Sequence, residues 1–344
     1  MNAATGPITS VNVAYLLSTR ELAGDERLSA TDEAVNREHR GNLPAVYGFM
    51  QVHNSLVSSG DLALPGVNLS AIVYDDDIPL RTFDDLPAPM LHHPSSGLMA
   101  ARDQKNSAIS RLGEEHGETA RLISDYKAAR HEFESGLVRL LHEHEVDVVL
   151  MDRFMVILGK DFLDSYLAAA INSHPALLPD LPGGTPTADA LERARSGGNP
   201  WTGATAHFIN RGIDTGPPIC QRESVFISQG MGKEDVRREN YRYEGANLWN
   251  GLLTYLQNPE AMELLSIRRG ARRAHGNSSS QCVDPREARA AARRLMRSHR
   301  DAFSAFYSNG ARNLLGTGKY SYRAPFGPNA PRAQLSVGLA RAAR

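Results

Sequence analysis

The chain has 344 residues, a net charge of −1 and 41% hydrophobic residues, enough for a sizeable core in one or two domains. The balanced charge argues against nucleic acid as a partner, and two isolated cysteines, Cys220 and Cys282, support neither a disulfide framework nor a cysteine metal site. No basic-then-apolar leader opens the chain and no run is apolar enough to span a bilayer, so the expectation is a cytoplasmic protein without a membrane partner.

In chain order, VNVAYLL at 11–17 reads as a buried first strand that ends in the loop STRE. A polar stretch at 21–40 precedes NLPAVYGFMQVHNSLV, whose apolar spacing suits a helix packed on a sheet, and VNLSAIVYDDD then reads as a second strand. This opens a βαβ pattern, which favours a parallel sheet. The proline- and acid-rich segment 74–117 reads as an irregular insertion, and its adjacent His92 and His93 point to opposite sides of an extended chain, as in a surface loop rather than a metal site.

ETARLISDYKAARHEFESGLVRLLHEHE carries apolar residues at helical spacing and delivers the chain into VDVVLMDRF, a strand of the buried parallel type. INSHPALLPDLPGG follows as a short strand halted at Pro175, and a helix then closes on glycines. GATAHFINRGIDTGPPICQRESVFI reads as two strands joined by a glycine-rich turn, with an amphipathic helix at 233–257 after it. The predicted fold is therefore α/β, a Rossmann-like, mostly parallel sheet flanked by helices, with a catalytic domain over 1–265. Past Leu265, RRGARRAHGNSSS reads as a basic, serine-rich linker, and 266–344 as a helical and irregular extension that wraps the body or a neighbouring subunit, which leaves a homo-oligomer open.

Asn172, His174, His207 and Asp214 all fall at strand ends or turns, where open α/β sheets collect ligands. Singly, each has an ordinary structural explanation: a hydrogen-bonded core histidine, or a turn aspartate. Together, INSHPALLPDLPGG followed by GATAHFINRGIDTGPPICQ resembles the signature of the folate-dependent formyltransferases, which include the glycinamide ribonucleotide and methionyl-tRNA enzymes. The resemblance is close over about 146–256 and loose over the first strands.

It implies 10-formyltetrahydrofolate as co-substrate, a small-molecule amine as acceptor and no metal. Asn172, His174 and Asp214 fall on the family's catalytic positions. Phe154, Met155, Val156 and Leu158 fall on the segment lining the folate pocket, with Arg211, Gly212 and Ile213 on the facing turn. The chemistry wants such groups: an amine attacks the formyl carbon, an oxyanion develops, and the amine must shed a proton. Asn172 and a protonated His174 can donate to the oxyanion, Asp214 can manage the proton, and Pro175, Pro179 and Pro182 hold the backbone that carries them. His207 is expected to support the site from behind.

Two departures bear on the acceptor. Asp152 and Arg153 stand where the family commonly has a small residue and a glycine, and no phosphate-binding loop directly follows the first strand; Arg-Gly-Asn-Leu appears only at 40–43. The expected acceptor is an amino-acid derivative such as N-hydroxyornithine, as in siderophore or other specialised metabolism, with glycinamide ribonucleotide as the alternative. Glu244 falls where the resemblance to the glycinamide ribonucleotide enzymes implies a glutamate near the amine, and Arg20 and Glu21, just past the first strand, are candidate acceptor contacts by location. A catalytically idle folate-binding scaffold is the reading from outside enzymology, and hydrolysis of formyl-folate by water is a third.

Overall fold

The computed structural model describes residues 7–18, 41–75, 86–110, 116–276, 285–306 and 321–323. Strands β1 (Ser10–Leu17), β2 (Gly66–Tyr74), β3 (Met90–His92), β4 (Val148–Asp152), β5 (Ala170–His174), β6 (Trp201–Phe208), β7 (Pro218–Phe226) and β8 (Ser321–Arg323) form one sheet in the order β3-β2-β1-β4-β5-β6-β7-β8. The pairs from β3 to β5 are parallel, and β6, β7 and β8 add antiparallel. This is the predicted α/β class.

The helices are α1 (Leu43–Ser58), α2 (Ser96–Ser110), α3 (His116–Glu143), α4 (Lys160–Tyr166), α5 (Pro186–Arg195), α6 (Lys233–Leu256), α7 (Pro259–Gly276) and α8 (Pro285–Phe306). Strand β1 shows why its sequence is apolar throughout. Val11, Val13, Tyr15 and Leu17 pack with α1, α6, α7 and α8 on one side of the sheet, whereas Ala14 and Leu16 pack with α3 and α4 on the other. A strand covered on both faces loses the apolar-polar alternation of a half-exposed one.

Trp249 of α6 anchors the first layer. It is buried, with Phe49 of α1 stacked at 6.4 Å between ring centroids and His53 edge-on at 5.5 Å. Truncating such a side chain typically costs about 3–5 kcal/mol through lost transfer energy and the cavity left behind.

Three expectations change on folding. The 74–117 segment is partly regular: β3 extends the sheet beside β2, and α2 packs along α3. His92 stacks on Tyr74, and His93 is half-buried, its Nε2 2.9 Å from the Phe133 carbonyl oxygen, so this pair belongs to packing rather than to a loop. The expected boundary at Leu265 lies inside α7, whose cations are structural rather than linker-like. Arg269 and Arg272 pair with the buried Asp147, and Arg268 donates to the Leu167 carbonyl oxygen. Likewise Ala291, Ala292, Leu295 and Met296 of α8 join the same apolar cluster as β1 and α6. A run of arginines reads as a solvated linker in sequence, yet it is stable inside when a buried carboxylate and carbonyl oxygens receive it.

No described helix is long and apolar enough to cross a membrane.

Candidate active site

The site forms at the carboxyl ends of β4 and β5, where the sheet changes from parallel to antiparallel. Residues 172 and 174 are two apart on β5, so both side chains leave the same face. The antiparallel register sets Asn172 opposite His207 of β6. Their side chains meet, with Asn172 Nδ2 3.1 Å from His207 Nε2.

His207 explains the orientation of that amide. Its Nδ1 lies 3.0 Å from the Phe208 carbonyl oxygen, which can only accept, so this nitrogen carries the proton and Nε2 accepts from Asn172. Burial pushes the His207 pKa down to about 4, against the opposing pull of Asp214. The ring is therefore neutral near pH 7, and the second Asn172 N–H stays available for another acceptor.

Asp214 sits in the β6–β7 turn with φ of +50°, a left-handed conformation that costs a non-glycine residue on the order of 1 kcal/mol. The turn reaches that shape through neighbours. Asn210 Oδ1 accepts from Gly212 N and Thr215 Oγ1, both at 2.9 Å, and a Cβ at Gly216 would lie 1.6 Å from the Phe208 carbonyl oxygen. Only glycine permits that approach.

The result places the Asp214 carboxylate between two histidines, 3.5 Å from His174 Nδ1 and 3.6 Å from His207 Nε2. Asp214 Oδ2 also accepts from Gly183 N at 3.0 Å, and His174 Nε2 donates to the Leu181 carbonyl oxygen at 2.7 Å. The proline-glycine stretch after β5 thus folds back to fix both groups. The loop itself is pinned from beneath. Thr205 Oγ1 donates to Ala176 O, Gln221 Nε2 donates to Leu178 O, and Asn240 Nδ2 donates to Pro175 O. These supports were not legible in the sequence, because each depends on which strand or helix lies under the loop.

A cleft of about 350 Å³ opens over this cluster. One wall is the 154–158 segment facing the Asn210–Asp214 turn, and it presents partly exposed apolar side chains: Met155, Ile157 and Ile213. The other carries Arg153 with Tyr241 and Glu244 of α6. An apolar slot beside a few convergent polar groups is the usual form of a small-molecule site.

With this geometry in view, similarity to known proteins is informative. Residues 95–248 match the family model described as formyl transferase. This stretch of the chain is thus similar to the formyl transferase family.

The phosphoribosylglycinamide formyltransferase of Bacillus subtilis is 37% identical over 112 residues, 33% of this chain and 55% of that protein. The protein of the same name from Mycobacterium tuberculosis is 42% identical over 93 residues, 27% of this chain and 41% of its own. The chain thus spans about half the length of the curated relatives it matches. Among solved structures, phosphoribosylglycinamide formyltransferase from Anaplasma phagocytophilum shows 20% identity and a TM-score of 0.46, covering 72% of this chain and 88% of that one.

Within the matched stretch, the fold brings Asn172, His174, His207 and Asp214 together. Phe154, Met155, Val156, Leu158, Gly212, Ile213 and Glu244 line the same cleft. Arg211 does not: it is exposed on the turn and absent from the lining, whereas Gly212 and Ile213 belong to it. Arg20 and Glu21 lie outside the described residues. Sequence reasoning missed Asn210 and Tyr241 as wall residues, while Ile157 lies within the segment expected to line the pocket and Arg153 was expected to bear on it; Tyr241 and Glu244, three apart on one helix face, were a signal that could have been used. Among the described residues, no group of three His, Cys, Asp or Glu side chains is placed to hold a metal ion.

Proposed function

We propose that the protein transfers a formyl group from 10-formyltetrahydrofolate to an amine nitrogen of a small molecule. The observation that carries this is the Asp214 carboxylate set between His174 and His207, with Asn172 beside it, at the floor of a cleft with one apolar wall. Each part has a task. Asn172, oriented by neutral His207, donates to the oxygen that becomes an oxyanion as the amine attacks. His174, whose Nε2 is held by the Leu181 carbonyl oxygen, donates to the same oxygen from Nδ1 when protonated; Asp214 accepts the amine proton directly or through water, and as the oxyanion collapses the bond from the formyl carbon to the folate nitrogen breaks and that nitrogen takes up a proton. The apolar wall at 154–158 and 212–213 suits a flat pterin ring and excludes water from the reacting carbonyl.

The acceptor is a separate question. The names of the matched relatives support phosphoribosylglycinamide better than an N-hydroxyornithine-type amino acid. The second reading keeps one structural argument in its favour: Asp152 and Arg153 alter the end of the cleft where the acceptor would sit.

Incubation with 10-formyltetrahydrofolate and candidate amines, read by mass spectrometry for a formyl increment, tests the reaction. Transfer to an amine is the expected result. Release of formate without any amine would replace transfer with hydrolysis, and tight folate binding with no turnover would leave an idle binding protein.

A further inference from the structure

Residues 154–158, the apolar wall of the cleft, lie past the end of β4, so the sheet ladder does not hold them. Their side chains alternate all the same. Phe154, Val156 and Leu158 are buried with residues of α3 and α4, whereas Met155 and Ile157 line the cleft at 37% and 46% exposure. A segment anchored by every second side chain presents a flat surface only if its backbone is fixed as well.

Helix α3 supplies that restraint. Glu134 is 1% exposed, and its carboxylate receives the turn that leads from the wall into α4. Oε1 accepts from Gly159 N at 2.6 Å, and Oε2 accepts from Asp161 N at 3.0 Å and Phe162 N at 3.1 Å. These are the orphan donors of a helix's first turn, and the N-cap residue, Gly159, has no side chain to satisfy them.

One turn earlier on α3, Arg130 reaches the wall itself. It donates from Nε to Glu134 Oε1 at 2.7 Å and from Nη2 to the Ile157 carbonyl oxygen at 2.9 Å. A Cβ at Gly159 would stand 2.4 Å from Nη2, so glycine at this position leaves room for the guanidinium. A buried carboxylate is stable only with such partners, and here they belong to the carboxyl end of the wall and the helix that follows it.

We propose that Glu134, together with Arg130, is a positioning residue for the formyl-folate: it fixes the shape of the 154–158 wall on which the ring system packs. Glu134 is buried outside the cleft lining and does not touch the folate. The inference rests on the formyl-transfer reading above and adds to it how the folate wall is held.

The test compares wild type with Glu134→Gln, Arg130→Met and Arg130→Lys. Calorimetric titration with 10-formyltetrahydrofolate gives the folate Kd without reference to the acceptor, and initial rates with glycinamide ribonucleotide and N-hydroxyornithine give KM and kcat. Glu134→Gln keeps the volume and one accepting oxygen but gives up the charge. It should raise the folate Kd about tenfold, the factor for one lost charge-assisted hydrogen bond, while the acceptor KM and the kcat at saturating folate change little. Arg130→Met should act alike, and the double variant should lose no more than the worse single one, because both groups act through one segment. Lysine at 130 should restore part of the loss, since it keeps the charge but not the fork that reaches both Glu134 and Ile157.

A lower melting temperature with an unchanged folate Kd would make the pair a helix cap only, and overturns the inference while leaving formyl transfer standing. 10-Formyltetrahydropteroate, which lacks the glutamate tail, supplies a second check. The loss in Arg130→Met should persist with it; a loss confined to the full folate would mean that Arg130 grips the tail carboxylates, and also overturns the inference. If Glu134→Gln does not fold, Gly159→Ala, which displaces the guanidinium and leaves Glu134 in place, carries the same expectation. Absence of folate binding in wild type overturns the reading on which the inference rests, and the inference with it.

Discussion

Strand β4 is bracketed by two buried aspartates with opposite roles. Asp147 precedes it, and its carboxylate is held by two cations, Arg269 and Arg272 of α7, and by the Asn12 backbone N–H. Asp152 ends it, and its carboxylate accepts from Tyr15 and from both the backbone and side chain of Asn42. At the first end charge meets opposite charge and a carboxyl-terminal helix is locked to the sheet. At the second, neutral donors and a helix terminus take the charge, which Arg153 feels from the adjacent position beside the cleft. Two aspartates five residues apart can look alike in sequence; which partners reach them decides whether a charge is met by cations or by neutral donors.

The sharpest break of this comparison lies beyond Asp152, in the proposed catalytic cluster. Replacing Asn172, His174 or Asp214 by Ala should each lower the rate on the order of 10²-fold or more, the usual cost of losing one oxyanion donor or proton acceptor, with an unchanged melting profile. Full activity in all three, measured as initial rates of formyl transfer, would remove the mechanism.

At the other end of the strand, Asp147→Ala should act on stability alone. It strands Arg269 and Arg272 around a site only 1% exposed, but the guanidiniums are 22% and 24% exposed, so the loss falls near or below about 3 kcal/mol. Denaturant unfolding measures it, and the KM values of the folded variant should match wild type. A variant that loses acceptor affinity as well would mean the two ends are coupled.

Asp152→Asn should be milder. The amide keeps one accepting oxygen for Tyr15 and Asn42 and gives up the charge, costing about 1–2 kcal/mol. Denaturant unfolding measures it. The Tyr15 hydroxyl provides a check: burial, then the adjacent Asp152 charge, hold its pKa well above the ordinary tyrosine value, so Asp152→Asn should lower it, as ultraviolet titration of the phenolate would show.

The smallest effect concerns pH. Burial lowers the pKa of His207 to about 4 and that of His299 of α8 to about 3, both below the ordinary 6.5. Between those limits the unfolded chain binds more protons than the folded one, so stability is full above about pH 6.5 and falls as the pH drops toward 4. His299→Gln removes one such proton, and the slope of unfolding free energy over this window should decrease by at most about 1.4 kcal/mol per pH unit. An unchanged slope would show that His299 is not held neutral by its packing against Phe208.

Much of this was legible without coordinates, and the reason is local. Apolar runs such as VNVAYLL and VDVVLMD announce strands covered on both faces. Asn-Ser-His-Pro and Asp-Thr-Gly-Pro place polar groups where the backbone must stop or turn, so Asn172, His174 and Asp214 stood out in the sequence itself. The irregular reading of 74–117 failed because prolines at its start masked the short strand and the helix that follow. The linker reading of 266–276 failed because arginines are soluble residues until a buried acid is found for them, and Asp147 is more than a hundred residues away.

By itself, then, the sequence determined the α/β class, the order of most elements and the identity of the polar groups at the strand ends, since periodicity, proline and glycine act over a few residues. Only the tertiary structure decided what those groups face. The register of β5 against β6 set His207 under Asn172, and the return of the loop after β5 tied Leu181 and Gly183 to His174 and Asp214. The meeting of β1, β4 and the start of α1 gave Asp152 its donors and left Arg153 at the cleft. Such contacts join residues tens to hundreds of positions apart, and no local preference encodes them; they exist because two buried layers leave each polar side chain few partners within reach.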